Sequence, residues 1–304
     1  MKSDPFNFVI ILGAARSGTT MLANLLKMDQ RVSYIGEPKY IWKYKNFSVC
    51  HDSLTKSHLT SEIRHYITTA FQAYLTDTGG KILLEKTPSN SLRFEFVYNL
   101  FPNAKFIHLI RNGIPVAKSA KKRWSGEYSK TEKMYKSHLK EIGTATKKRV
   151  RKRWFDKKAR FTDLILDLNY TIPLYLNNAG LFSHSIWGPV YPGMRRDYKQ
   201  LELIEVCALQ WKHCVESVLN FKNNPDFDGN YFEIRYEDIV TGNIENVSNM
   251  FEFAGIEFTQ DTKDDIKSIA KNFLEKPKNS ESDTAETNMI LKNCKSTLTQ
   301  LGYL

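Results

Sequence analysis

The stretch NFVIILGAARSGTTML, residues 7–22, decides how the rest of the chain is read. Its first six residues are a short apolar run rich in β-branched side chains, the pattern of a strand buried on both faces. Gly13 to Gly18 interrupts the run. Thr19 to Met28 then places Met21, Leu22, Leu25 and Leu26 on one side of a helix. Strand, glycine-bounded loop and helix in that order make an anion cradle, because glycine lets backbone N–H groups face inward and the helix N-terminus adds positive potential. A nucleoside-triphosphatase loop has the same two-glycine spacing but needs Lys directly after the second glycine. Here that position is Thr19, and the cation stands inside the loop as Arg16. This argues against ATP hydrolysis and favours an anionic group of lower charge, gripped by a bidentate guanidinium and hydroxyls.

Outward from the loop, strands and helices alternate. Val32 to Ile35, Lys81 to Leu84, Lys105 to Ile110 and Tyr231 to Arg235 read as further strands. Helices are expected from about Ser89 to Leu100, Ile114 to Trp124 and Gln200 to Phe221. Such alternation requires crossover connections, hence an α/β, P-loop-containing three-layer fold with a mainly parallel central sheet flanked by helices. One domain is expected over residues 1–304, its core at about 7–124 and 200–256. A basic, largely helical insertion would occupy about 125–199, and a tail about 257–304. Within the tail, the polar run Lys276 to Thr287 reads as a loop before a last short helix.

Composition narrows the class. The 304 residues are 41% hydrophobic and 25% charged, as in ordinary globular proteins. No apolar run approaches the roughly 20 residues that cross a bilayer, and Phe8 to Leu12 is too short for a signal-peptide core. The four cysteines show no CxxC pair. Cys207 and Cys214, seven apart on one helical face, suit buried thiols, and a reducing cytoplasmic location follows as the expectation. The net charge of +11 is concentrated: Lys118 to Arg160 holds 17 basic and 4 acidic residues, the rest 27 and 29. An anionic partner or substrate near that segment is one reading and a solvated helical face the other. The run KKRVRKRW at 147–154 suggests a polyanion-binding module, but leaves the glycine loop unexplained, so nucleic acid is not the expected partner.

Four segments in order carry a family resemblance. GAARSGTTML (13–22) resembles the 5′-phosphosulfate loop of sulfotransferases that use 3′-phosphoadenosine 5′-phosphosulfate (PAPS). EKTPSN (85–90) resembles the segment after their third strand, FIHLIRNGIPVAKSA (106–120) their 3′-phosphate signature, and RYEDIV (235–240) their late strand-to-helix motif. The bacterial and tyrosylprotein types look closer than the cytosolic aryl type. The resemblance implies that Arg16, Ser17, Gly18, Thr19 and Thr20 hold the 5′-phosphosulfate, and that Arg111 and Ser119 take the 3′-phosphate. It places the Lys86 ammonium at the sulfuryl group and lets Arg235 and Tyr236 contact the nucleotide or brace the loop. PAPS would be the co-substrate, 3′-phosphoadenosine 5′-phosphate the product, and no metal is expected. Ala15 and Asn112 depart from a usual proline and a frequent aspartate. Lys276 and Lys278 are candidates to close over the nucleotide, and Trp187, Tyr191 and Trp211 are either stacking or core aromatics.

The acceptor must lose a proton as it attacks sulfur. The aryl type uses a histidine two residues after the lysine, where this chain has Pro88. The tyrosylprotein type uses a glutamate in a Gly-Glu segment, which Gly36-Glu37-Pro38 matches, so Glu37 is the expected base, with burial raising its pKa. His51 and His184 are alternatives. The acceptor itself, a carbohydrate, a small molecule or a protein tyrosine, is not legible, nor is the oligomeric state. A P-loop kinase or NTPase remains the competing enzyme class.

Overall fold

The structure is a computed structural model that describes residues 6–126, 186–275 and 284–304. The chain divides into two compact units, residues 1–121 with 188–304, and residues 122–187. Of the second, only 122–126 and 186–187 are described; Trp124 and Trp187 lie 6.5 Å apart there, with the Arg123 guanidinium 5.8 Å from the Trp187 ring. The basic run 147–154, His184, Lys276 and Lys278 fall outside the described residues.

The first unit is built on β1 (Asn7–Leu12), β2 (Val32–Gly36), β3 (Ile82–Lys86), β4 (Lys105–Ile110) and β5 (Asn230–Arg235). They form one parallel sheet in the order β2-β3-β1-β4-β5. The α/β class expected from the sequence is the one observed. Alternation along each strand makes two apolar faces. Val9, Ile11, Leu84, Ile107, Leu109 and Ile234 meet the helix α1 (Thr19–Leu26) and a late helix that supplies Val247, Met250 and Phe251. On the other face, Phe8 packs on Phe71 and Phe101 with ring centroids 5.3 and 4.9 Å away, and Trp42 on Phe71 at 5.0 Å.

The connecting helices are α2 (Lys39–Trp42), α3 (Ser61–Thr78), α4 (Phe94–Leu100), α5 (Gly113–Trp124), α6 (Met194–Gln200) and α7 (Leu203–Lys222). After β5 come α8 (Tyr236–Thr241), α9 (Ile244–Ala254), α10 (Gln260–Leu274) and α11 (Thr284–Gln300). Three differences from the sequence reading have physical causes. The helix expected over Ser89 to Leu100 is a tight 3-10 turn, Pro88–Ser91, followed by α4. Asn90 donates to Glu85 and the Ser91 hydroxyl is taken by the Gly13 N–H, so polar side chains that compete with a regular helix set a turn instead. The last helix is not short: α11 runs 17 residues and starts inside the polar run, because Ile290, Cys294 and Leu298 are buried. Lys118 and Lys121 of α5 hold its start through Thr287 and Glu286, at 3.0 and 2.5 Å. Finally, the segment Gly188 to Lys199, read as insertion, belongs to the first unit, where buried Tyr191 stacks on His213 at 4.3 Å. Cys207, Cys214 and Cys294 are free and buried, and burial pushes the thiols of Cys207 and Cys294 up to about 12. Among the described residues no helix is long and apolar enough to cross a membrane.

The loop after β1 starts under a tight constraint. A Cβ on Gly13 would lie 2.8 Å from the Leu109 carbonyl oxygen and 2.9 Å from the Thr19 methyl group. Backbone cannot step aside as a side chain can, so Gly13→Ala should cost about 1–3 kcal/mol, as overpacking does, read as a lower urea midpoint.

Candidate active site

All five strands end at one edge, and each hands a candidate residue to it. Ligands of open parallel sheets bind outside the carboxyl ends, where strand order reverses; β1, between β3 and β4, is that point here. The loop 13–18 follows β1 and enters α1, whose first-turn N–H groups lack intrahelical acceptors. Ser17 and Thr19 are buried, Arg16 and Gly18 half-buried, and Thr20 exposed. Gly18 has φ +98°, and a Cβ there would meet the Tyr236 ring at 2.6 Å, so ring and loop fit only with glycine.

Arg16 adopts a left-handed backbone, φ 72°, rare for a residue with a Cβ. Its carbonyl accepts from Arg111 Nη1 at 3.1 Å, and its Nε donates to the Ser119 hydroxyl at 3.1 Å. The loop arginine, Arg111 and Ser119, 103 residues from Arg16 in sequence, are thus brought together. The Arg111 guanidinium lies 3.8 Å from the Tyr236 ring centroid, and burial pulls it below the usual arginine value, with Arg16 adding to this. Asn112 accepts from the Ile114 N–H at 2.9 Å and so caps α5. Buried Trp211 donates to the Arg111 carbonyl at 3.1 Å; it is a core brace, as is Tyr191. Arg235 turns away from the loop: its Nη2 donates to the Leu301 carbonyl at 2.7 Å, over the Tyr303 ring.

On the other side of β1, Lys86 closes β3 opposite both Ile11 and Gly36. Its ammonium lies 2.6 Å from Glu37 Oε1, with 5% of its side chain exposed against 45% for Glu37. The burial expected for Glu37 is therefore absent, because β2 is the edge strand and the turn after it faces outward. Glu37 is left-handed too, φ 56°, and its N–H donates to the Lys86 carbonyl at 3.0 Å. His51 lies in the loop after α2, its carbonyl taken by Lys43 at 2.7 Å, with burial lowering its pKa; Glu37 is the group the structure sets against Lys86. No metal-holding group of three or more His, Cys, Asp and Glu occurs among the described residues.

Sequence reasoning missed three supports. Ser91 holds the loop through Gly13, Glu237 accepts from the Asn112 N–H at 3.3 Å and from the Tyr303 hydroxyl at 2.9 Å, and Glu85 lies buried beneath Lys86. The signal for Glu85 and Ser91 was their place in EKTPSNS, directly after a buried strand. Replacing Tyr236 by Leu removes the ring beneath Arg111; a loss of about 0.5–2 kcal/mol is expected, the worth of a partly desolvated cation–π contact, read as a lower urea midpoint at unchanged slope.

Comparison with known proteins places the chain in a family. The profile of the Sulfotransferase family matches residues 8–171, more than half of the chain. The nodulation protein NoeE of Sinorhizobium fredii is 30% identical over 129 residues, which take in 38% of this chain and 31% of that relative. The chain thus spans about a third of the length of this curated relative. The sulfotransferase STF9 from Mycobacterium avium superposes with a TM-score of 0.51 at 13% identity, over 98% of this chain and 76% of that one, a likeness of fold. A sulfotransferase from Alicyclobacillus acidocaldarius aligns over 90% of this chain and 93% of that one, at 13% identity and a TM-score of 0.40. By the profile match, the chain belongs to the sulfotransferase family.

Proposed function

We propose that the chain transfers the sulfuryl group of PAPS to a hydroxyl, less readily an amine, of a carbohydrate or small-molecule acceptor. The observation that carries this reading is the pairing of Lys86 and Glu37 at 2.6 Å, one strand away from a phosphate-type loop whose cation is Arg16. In the proposed step the acceptor oxygen attacks sulfur in line. The new O–S bond forms as the S–O bond to the 5′-phosphate breaks, and the acceptor proton passes to the Glu37 carboxylate. The Lys86 ammonium meets the charge that grows on the departing phosphate oxygen. Adenosine 3′,5′-bisphosphate leaves.

Arg16, Ser17, Gly18, Thr19 and Thr20 would hold the phosphosulfate, with Arg111 and Ser119 on the 3′-phosphate and Tyr236 packed under Arg111. Arg235 would act as a brace. The bond from Arg16 to Ser119 supports this division, since it puts the two anion subsites side by side. Left-handed Arg16 and Glu37 support it too, because strained backbone of about 1–3 kcal/mol per residue gathers where geometry serves chemistry. A cytoplasmic setting and a single catalytic domain with an insertion complete the proposal. The Gly-Glu segment favours protein tyrosine as the second acceptor class, by its likeness to the tyrosylprotein type.

The deciding experiment is incubation with labelled PAPS and a panel of glycans, small hydroxyl compounds and a tyrosine peptide, read by mass spectrometry for one added sulfo group. No transfer together with ATP hydrolysis would restore the kinase class. Glu37→Gln should lower turnover by about 10²–10⁴-fold, the worth of a positioned proton transfer, with bisphosphate affinity little changed. Turnover above about a tenth of wild type would remove Glu37 from the role. Arg16→Ala should weaken donor binding in calorimetry and turnover together.

A further inference from the structure

One residue before Lys86, Glu85 is fully buried on the aromatic face of the sheet. Its Oε1 accepts from the Trp42 indole N–H at 3.1 Å and from the Thr87 hydroxyl, and its Oε2 from Asn90 Nδ2 at 2.8 Å. These donors come from two places. Trp42 ends α2, the helix that begins two residues after Glu37, while Thr87 and Asn90 belong to the turn that follows Lys86. We propose that Glu85 is a positioning residue for the sulfuryl transfer assigned above: its carboxylate ties the segment carrying Glu37 to the strand end carrying Lys86. The inference rests on that functional reading for its consequence, but on geometry for its existence.

Folding alone does not call for a carboxylate here. Glutamine could still accept from Trp42, and a turned-over Asn90 would offer Oδ1, which has no donor among the described residues, to the new amide N–H. A buried carboxylate carries a desolvation cost that an amide lacks. What the charge adds is attraction for the cations around it, Lys86 beside it on β3 and Arg93 before α4. The remaining facing groups are neutral: the Tyr34 phenol of β2, Trp42, Thr87 and Asn90.

Burial pushes Glu85 up to about 7, against the opposing pull of Thr87, Trp42, Lys86 and Arg93. A protonated carboxyl can keep its partners as glutamine would, with Asn90 turned over to accept its O–H, but it no longer attracts Lys86 and Arg93. The hold on the strand end therefore weakens as pH falls through about 7. The stability sign is the reverse. A carboxyl raised in the folded state favours folding most below its ordinary value and loses that advantage as pH rises through about 7. Glu85→Gln should thus be no less stable than wild type at pH 8.

The experiment compares wild type with Glu85→Gln. With PAPS and an accepted hydroxyl acceptor, the variant should turn over roughly 10-fold more slowly at pH 8, less than the roughly 10²-fold or more expected when the proton-transfer group itself is lost, since Glu37 is retained. Its bisphosphate affinity should stay within twofold, and the wild-type fall in turnover below about pH 7 should disappear. The chain has five tryptophans, so the Trp42 indole N–H resonance, identified by its loss in Trp42→Phe, reports on the tie without turnover. It should shift with a midpoint near 7 in wild type and stay flat in Glu85→Gln. Wild-type turnover and pH profile in a folded Glu85→Gln protein would overturn the proposal. Should wild type transfer no sulfuryl group at all, the functional reading falls separately; the indole step then still supports the tie, and its absence overturns it.

Discussion

The register of the parallel sheet is the constraint on which the site depends. Lys86 stands opposite Ile11 on one side and Gly36 on the other, and Ile110 stands opposite Arg235. Parallel strands joined by crossovers send every carboxyl end to the same edge, so loops far apart in sequence converge there without long side chains having to reach. A slip of one residue in β3 would turn Lys86 into the core and bring Glu85 to the edge, since successive side chains alternate faces. Gly13 ties the register to the loop: its N–H is held by Ser91, and the close approach of the Leu109 carbonyl leaves no space for a Cβ.

Two strained residues are held in place by bonds from neighbouring strand ends. The Arg16 carbonyl is taken by Arg111, after β4, and the Glu37 N–H by the Lys86 carbonyl, on β3. The backbone bond at Glu37 nets about 1 kcal/mol and the charge-assisted bond to the Arg16 carbonyl about 1.5–3 kcal/mol, comparable with the strain they accompany. Behind Arg111 stands a second tier. Trp211 fixes its carbonyl, Tyr236 its guanidinium plane, and Glu237 the next N–H while also receiving the Tyr303 hydroxyl. The far end of the chain thereby bears on the loop that follows β4.

What was legible in the sequence follows from how local the cause is. The buried strands announced themselves as short apolar runs, and the loop by its glycines, because period and backbone freedom are written within a few residues. Arg16, Arg111 and Ser119 were legible as a motif, and their convergence follows from strand order. The place of Glu37 beside Lys86 was legible, but its exposure was misjudged: whether a turn is buried depends on β2 being an edge strand, which nothing near Glu37 encodes. The break of the helix at Pro88–Ser91 was missed because Asn90 and Ser91 answer to Glu85 and Gly13, partners that only the folded sheet supplies. The amphipathic α3 passed unread although its signal is local: Ile63, Ile67, Ala70, Phe71 and Leu75 fall at helical spacing within an otherwise polar stretch.

Charge is divided along the edge in a way that bears on what can bind. On the β3 side the Lys86 ammonium already faces the Glu37 carboxylate, so that pair is close to neutral. On the β4 side the Arg111 guanidinium donates to the Arg16 backbone carbonyl, and burial, with the Arg16 charge adding to it, makes Arg111 less ready to hold its proton. Bringing like charges together in a half-buried setting costs stability that an incoming dianion would return, because its attraction to both grows as water is displaced. An anion on that side should therefore bind more firmly than the group on the Lys86 side. The edge is thus divided between a cationic side, in the loops after β1 and β4, and a charge-paired side after β2 and β3.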